Sequence, residues 1–212
     1  PGLPLGDSRL FNFGVTSFAE ENYVQKFIGG RVKFWVDEKP YGSQLRRWAK
    51  ADRTVTRYPL KLSPLASSHL IEELEQAVRP ENRAFLYDTF RANCATKILQ
   101  LINTHTEGRL QAELAKRPGN RSFRDDVRMT YAGRLSYLLA TELVAGIELD
   151  RERSQWELSY RPAYMENILK DIALTSGQPM LGSPETDHLR QGPDPRAGWP
   201  YIGSLSILLA AS

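Results

Sequence analysis

Phe85-Leu-Tyr-Asp-Thr-Phe-Arg-Ala-Asn-Cys-Ala-Thr96 is the stretch on which both fold and chemistry turn. Ala84 to Asp88 reads as a short extended run, and from Asn93 onward apolar residues return to helical spacing through Ile98, Leu101 and Ile102. A strand-to-helix corner therefore falls at Asn93-Cys-Ala-Thr96, with the only cysteine of the chain, Cys94, in the first turn of the helix. At such a position unpaired N–H groups and the positive end of the dipole favour a thiolate, which can attack an acyl carbon. Without that context, a lone cysteine is more often an inert buried residue. Tyr87 and Asp88, just upstream, can orient a base or give the site a hydrogen bond; a half-buried aromatic and a turn cap are equally ordinary roles for them.

Working outward, Leu10-Phe-Asn-Phe13 is a β-prone run ending at Gly14. Ser17 and Glu20 form a capping box that opens an amphipathic helix, which stops at Gly29-Gly30. Arg31-Val-Lys-Phe-Trp-Val36 alternates as a half-buried strand does, with Val32, Phe34 and Val36 on one face, and Lys39-Pro-Tyr-Gly42 turns the chain. Thr54 to Leu62 is β-prone, and Ser63-Pro64 is an N-cap followed by an N1 proline that starts a helix to about Arg79. Phe123 to about Ile147 reads as largely helical, with Leu135, Leu138, Leu139 and Leu143 as its apolar stripe. A helix from Pro162 carries Tyr164, Ile168, Leu169 and Ile172. The predicted organisation is a domain over residues 1–175, a Gly/Pro-rich linker over 176–200 and an uncharged apolar tail over 201–212. Twelve residues are too few for a bilayer span of about 20, so the tail is either the first half of a membrane helix or an apolar end docked on the domain. The chain opens Pro1-Gly-Leu-Pro4, without an initiating Met or a leader, which leads to the expectation of a fragment.

With 212 residues and 41% hydrophobic content, one domain plus an appendage fits, and disorder, collagen and coiled coil do not. The net charge is only +3 with the signs interspersed, which implies no nucleic-acid partner. Of the 28 basic residues, 20 are Arg, a bias that suits phosphate or carboxylate contacts but more often reflects genome composition. One cysteine excludes an internal disulfide framework and a Cys-based zinc site. No metal or cofactor is indicated; Phe27-Ile-Gly-Gly30 has the wrong spacing for a phosphate loop. Asp125-Asp126, Glu72-Glu73 and Asp150 with Glu152 read as solvated acidic faces. A cysteine nucleophile normally needs a base. His105 lies eleven residues beyond Cys94, about 16 Å along a continuous helix, out of hydrogen-bond range. His69 falls off the apolar stripe of its helix, on the solvated side, and His188 lies in the predicted linker.

The succession Phe11-Asn-Phe-Gly14, Phe18 to Gly30 with Tyr23 and Phe27, the segment through Leu60 and Leu62, and above all Tyr-Asp-x-Phe-x-x-Asn-Cys-x-Thr resembles the Lnb N-terminal periplasmic domain family. Arg161-Pro-Ala-Tyr164 is similar to the late part of that family, and the likeness extends over about residues 8–182. The resemblance implies an α+β, circularly permuted papain-like (NlpC/P60-like) domain of the periplasm, anchored at the inner membrane through a C-terminal region absent from this sequence. It further implies a cysteine-dependent acyl transfer through a thioester, from a phospholipid to a lipoprotein N-terminus. By the same carry-over Cys94 matches the nucleophile, and Asn93, Thr96, Tyr87 and Asp88 match the surrounding motif. The family histidine belongs on a strand before Phe11, yet residues 1–10 contain none. A cell-wall amidase or peptidase of the same fold, or a non-catalytic scaffold that lacks the histidine, are the alternative readings.

Overall fold

In a computed structural model, which describes residues 8–144, 146–173 and 177–192, the alternating run after Gly30 becomes the central strand of a sheet. This strand, β2 (Lys33–Pro40), lies between β1 (Arg9–Val15) and β4 (Ala84–Leu86), antiparallel to both. Phe11 pairs with Glu38, and Phe34 with Phe85. Of the three residues the alternation puts on one face, Val32 and Val36 are buried and Phe34 is half-buried, with Phe13 of β1 buried beside them. The β1–β2 register breaks between Asn12 and Val15, a bulge that re-aims the strand at Gly14.

Two local readings need correction. The helix between β1 and β2, α1 (Tyr23–Ile28), is not opened by the Ser17–Glu20 box. Residues 18–22 turn, and Asn22, at φ 57°, provides the entry, because asparagine tolerates the left-handed region. Lys39 to Gly42 is not a free turn either. β2 runs to Pro40, whose fixed φ suits a helix start, and α2 (Tyr41–Lys50) follows at once. Tyr41 is buried there and its hydroxyl donates to Asp187.

β3 (Val55–Arg57) precedes α3 (Pro64–Ala77), whose cap forms as expected, Ser63 Oγ accepting the Ala66 N–H at 3.2 Å. α4 (Cys94–Thr104) packs its inner face against α5 (Arg109–Leu114) and α9 (Pro162–Lys170). Leu99, Ile102, Leu110, Leu114, Ile168, Leu169, Ile172 and Met180 form that core. β5 (Pro118–Ser122) pairs with β6 (Glu152–Ser154), and α8 (Gln155–Leu158) follows it.

The long helix expected from Phe123 breaks at Gly133, φ +84°, into α6 (Phe123–Tyr131) and α7 (Leu135–Val144). On α7, Leu135, Leu139 and Leu143 face outward. The acidic pair on α6 is also misread as a solvated face. Asp125 completes a capping box with Ser122, and Asp126 is fully buried, where Tyr160 Oη (3.1 Å) and Arg161 Nη1 (2.9 Å) compensate its charge.

Of the stretch read as a linker, 177–192 is described, and it returns to the domain. Met180 is buried, Leu181 bridges to Leu60, and β7 (Glu185–His188) pairs antiparallel with β3. The pairing is locked by Arg57, whose Nη2 reaches Glu185 at 2.8 Å and Asp187 at 2.9 Å. Residues 193–200 and the apolar tail lie outside the described residues. The whole is a mixed α+β architecture with small antiparallel sheets and several helices.

Candidate functional site at Cys94

The corner from β4 to α4 is built by hydrogen bonds from its own polar residues. Asp88 Oδ1 accepts the N–H groups of Phe90 (2.8 Å) and Arg91 (2.9 Å), and its backbone pairs with that of Ala92, which closes the loop before the helix. Asn93 is the N-cap. Its Oδ1 accepts the Thr96 N–H at 2.9 Å, while Thr96 Oγ1 accepts the Asn93 N–H at 2.8 Å. This reciprocal pair satisfies two of the amides left orphaned at a helix start. The amide nitrogen of Asn93 then reaches outside the corner, donating to Thr89 O at 2.8 Å and to Tyr160 O at 2.9 Å. Asn93 and Thr96 are both buried.

Cys94 thereby occupies the first helical position, with its own N–H and that of Ala95 lacking an acceptor among the described residues. The thiol is half-buried, not sealed in the core. Across from it lies the bulged end of β1: a Cβ placed on Gly14 would stand 3.7 Å from Cys94 Cβ. Glycine keeps that approach clear of side chain, and the Gly14 N–H donates to Asn12 Oδ1 at 3.0 Å. Tyr87, upstream in the same corner, stacks its ring on Phe34 at 4.2 Å and on Phe27 at 5.6 Å. Burial pushes the Tyr87 hydroxyl above its ordinary value, Thr89 pulls the other way, and the nearby Cys94 and Asp88 add to the rise.

Behind the corner, Phe90 stacks on Phe123 at 4.3 Å and meets the edge of Tyr160 at 5.1 Å. Three surface recesses, of about 860, 340 and 150 Å³, are lined by other residues than Cys94; the one of 150 Å³ is lined by Thr96, in the same first turn of α4, and by Phe90 before it.

The five residues read from the motif thus fall at one corner, in different capacities. Asn93, Thr96 and Asp88 spend their polar groups on the backbone, Tyr87 packs on Phe34 and Phe27, and Cys94 is left half-exposed. Gly14 and Asn12 were not singled out for the site; the Phe-Asn-Phe-Gly run is the signal, since a glycine inside a strand marks a bulge or a close approach. None of the histidines joins them. His69 is exposed on α3, His105 caps the far end of α4 and pairs with Glu73 at 2.8 Å, and His188 Nδ1 meets Arg53 O at 2.9 Å beside β3. Among the described residues no group of acids, histidines and cysteine has a metal-binding arrangement, and no helix is long and apolar enough to cross a membrane.

No curated protein and no solved structure matches the chain. A family model does, over residues 2–133. That span takes in β1, α1, β2, β4 and α4, the elements that meet at Cys94, and stops short of α7, Tyr160 and the later segment over which the likeness was read. With the cysteine corner inside a match to well over half of its length, the chain belongs to the Lnb N-terminal periplasmic domain family and is a domain of the cell envelope.

Proposed function

We propose that this domain carries acyl groups on Cys94 as a thioester, taking them from a phospholipid ester and passing them to an amine, a lipoprotein N-terminus. The observation that carries this reading is the half-exposed thiol at the first position of a capped helix, facing a strand end kept open by Gly14. In the first step the sulfur attacks the ester carbonyl, the S–C bond forms, and the C–O bond breaks to release a lysophospholipid alkoxide, which takes up the thiol proton. In the second, the amine attacks the thioester, the N–C bond forms, the C–S bond breaks, and the amine's proton passes to the departing sulfur, restoring the thiol. The N–H of Cys94, without an acceptor among the described residues, is available to the oxyanion of either step, where a single donor is worth about 3–4 kcal/mol. That proton transfer has no help from His69, His105 or His188, since none of them stands at the sulfur.

That last observation favours a second reading, a papain-like domain that binds without reacting. Intact-mass analysis of the protein after exposure to phospholipid separates the two. Thioester transfer gives an acyl adduct that hydroxylamine removes and that Cys94→Ser lacks, together with loss of lipoprotein N-acylation in cells carrying Cys94→Ser. Unchanged N-acylation in those cells rejects the reaction and leaves the scaffold; a peptide adduct in place of an acyl chain assigns the domain to cell-wall hydrolysis.

A further inference from the structure

Among the described residues, exposed apolar side chains form two groups of three or more, beside others such as Leu65 and Ile71 on α3, Leu86 and Leu189. One is α7 with the turn after it, where Leu135, Leu139, Leu143 and Ile147 are uncovered. The other is α1 and the loop before it, where Phe18 is 77% exposed, Val24 68% and Phe27 41%. This second group is continuous with the Cys94 corner. Phe18 packs on Tyr23 (5.1 Å), Tyr23 on Phe27 (6.2 Å) and Phe27 on Tyr87 (5.6 Å), the residue that follows β4 and leads into the corner carrying Cys94. A row of aromatic rings from solvent to Tyr87, at the start of the cysteine corner, is not what core packing produces, and it has the composition of a membrane-interface belt.

The charges beside this row agree. Glu20 is neutralised by Lys26 at 2.6 Å, while Arg31 and Lys33, exposed at the end of α1 and the start of β2, have no acidic partner among the described residues and outnumber Glu21. Apolar rings beside unpaired cations match acyl chains beneath lipid phosphates. The stripe on α7 has the opposite neighbours: Arg124 and Arg128 are occupied by Glu142.

We infer that the α1 face is a docking surface for an anionic phospholipid bilayer, which brings the Cys94 corner to the lipid. Docking goes beyond the acyl-transfer reading, and vesicle binding is read without any reaction at Cys94, so either fails without the other.

The test is co-sedimentation of the whole chain with vesicles of equal parts phosphatidylglycerol and phosphatidylcholine. Phe18→Ser with Val24→Ser is the main variant, because both side chains are largely exposed and their loss leaves the Phe27–Tyr87 stack in place; a thermal melt checks the fold. Binding at least about tenfold weaker is expected, the fold-change given by about 1.4 kcal/mol of lost apolar burial. Arg31→Gln and Lys33→Gln should each weaken binding about fivefold, from about 1 kcal/mol per basic residue at an anionic surface, and should have no effect on phosphatidylcholine alone. The apolar tail is common to every variant. Wild-type affinity in Phe18→Ser/Val24→Ser, absence of wild-type binding, or loss confined to Leu139→Ser/Leu143→Ser would each overturn the assignment.

Discussion

Replacing Asn93 by alanine tests whether the cysteine corner is held by its cap or by its tie to the rest of the domain. The side chain accepts one hydrogen bond, from the Thr96 N–H, and donates two, to Thr89 O and Tyr160 O. An N-cap is worth about 1 kcal/mol, and each buried hydrogen bond about 1 kcal/mol net. Asn93→Ala should therefore cost about 3 kcal/mol, which for a chain of this size is a fall in Tm of about 6–12 °C. Asn93→Asp separates the two contributions. It keeps an acceptor for Thr96, and its charge suits the helix dipole, but it loses both donors and turns a carboxylate towards two carbonyl oxygens. If the tie to Tyr160 matters, Asn93→Asp still loses at least about 2 kcal/mol; if only the cap matters, it melts like wild type. Circular dichroism supplies the melts, and amide hydrogen exchange at Thr96 should quicken in Asn93→Ala. An Asn93→Ala melt within about 1 °C of wild type would refute the whole account of the corner.

Gly119→Ala should destabilise the β5–β6 pair by about 1–3 kcal/mol, because a Cβ there would lie 2.6 Å from the backbone oxygen of Arg153 and 2.3 Å from Leu158 Cδ1; an unchanged urea midpoint would count against the packing described. Acid should act through Glu157. Burial alone would raise its carboxyl, but the Ser154 N–H and the guanidinium groups of Arg153 and Arg151 hold it at about 2, below the ordinary 4.5. A depressed carboxyl stabilises the fold fully above the unfolded value and loses that contribution as pH falls through the folded one. Unfolding free energy should thus decline between pH 4.5 and about 2, and Glu157→Gln should be less stable at neutral pH with a flatter acid limb. A parallel acid limb in the variant would show that the carboxyl contributes nothing.

The corner was legible because its signals are local. Asn93 and Thr96 three residues apart form a capping box whose partners are each other, and the alternation of Val32, Phe34 and Val36 states which face of β2 is buried. Ser63-Pro64 likewise starts α3 with groups from its own first turn. Some local signals misled as well, such as the Ser17–Glu20 box and the unbroken run through Gly133, but two of the readings that failed depend on partners far away in the chain. Asp126 looks like one of a solvated pair until Tyr160 and Arg161, more than thirty residues later, close over it. Glu185–His188 has the composition of a linker and becomes a strand only because β3 offers it an edge and Arg57 offers it charge.

Sequence by itself determined the position of the single thiol at the head of a helix, through periodicity and contacts between near neighbours, and the motif around it carried the likeness that implied the family and the mixed α+β class. Tertiary structure alone decided that Gly14 of β1 faces that thiol, that aromatic rings lead from it to the surface along α1, and that all three histidines lie elsewhere. Packing sets such distances between elements, and no spacing within a single segment encodes them.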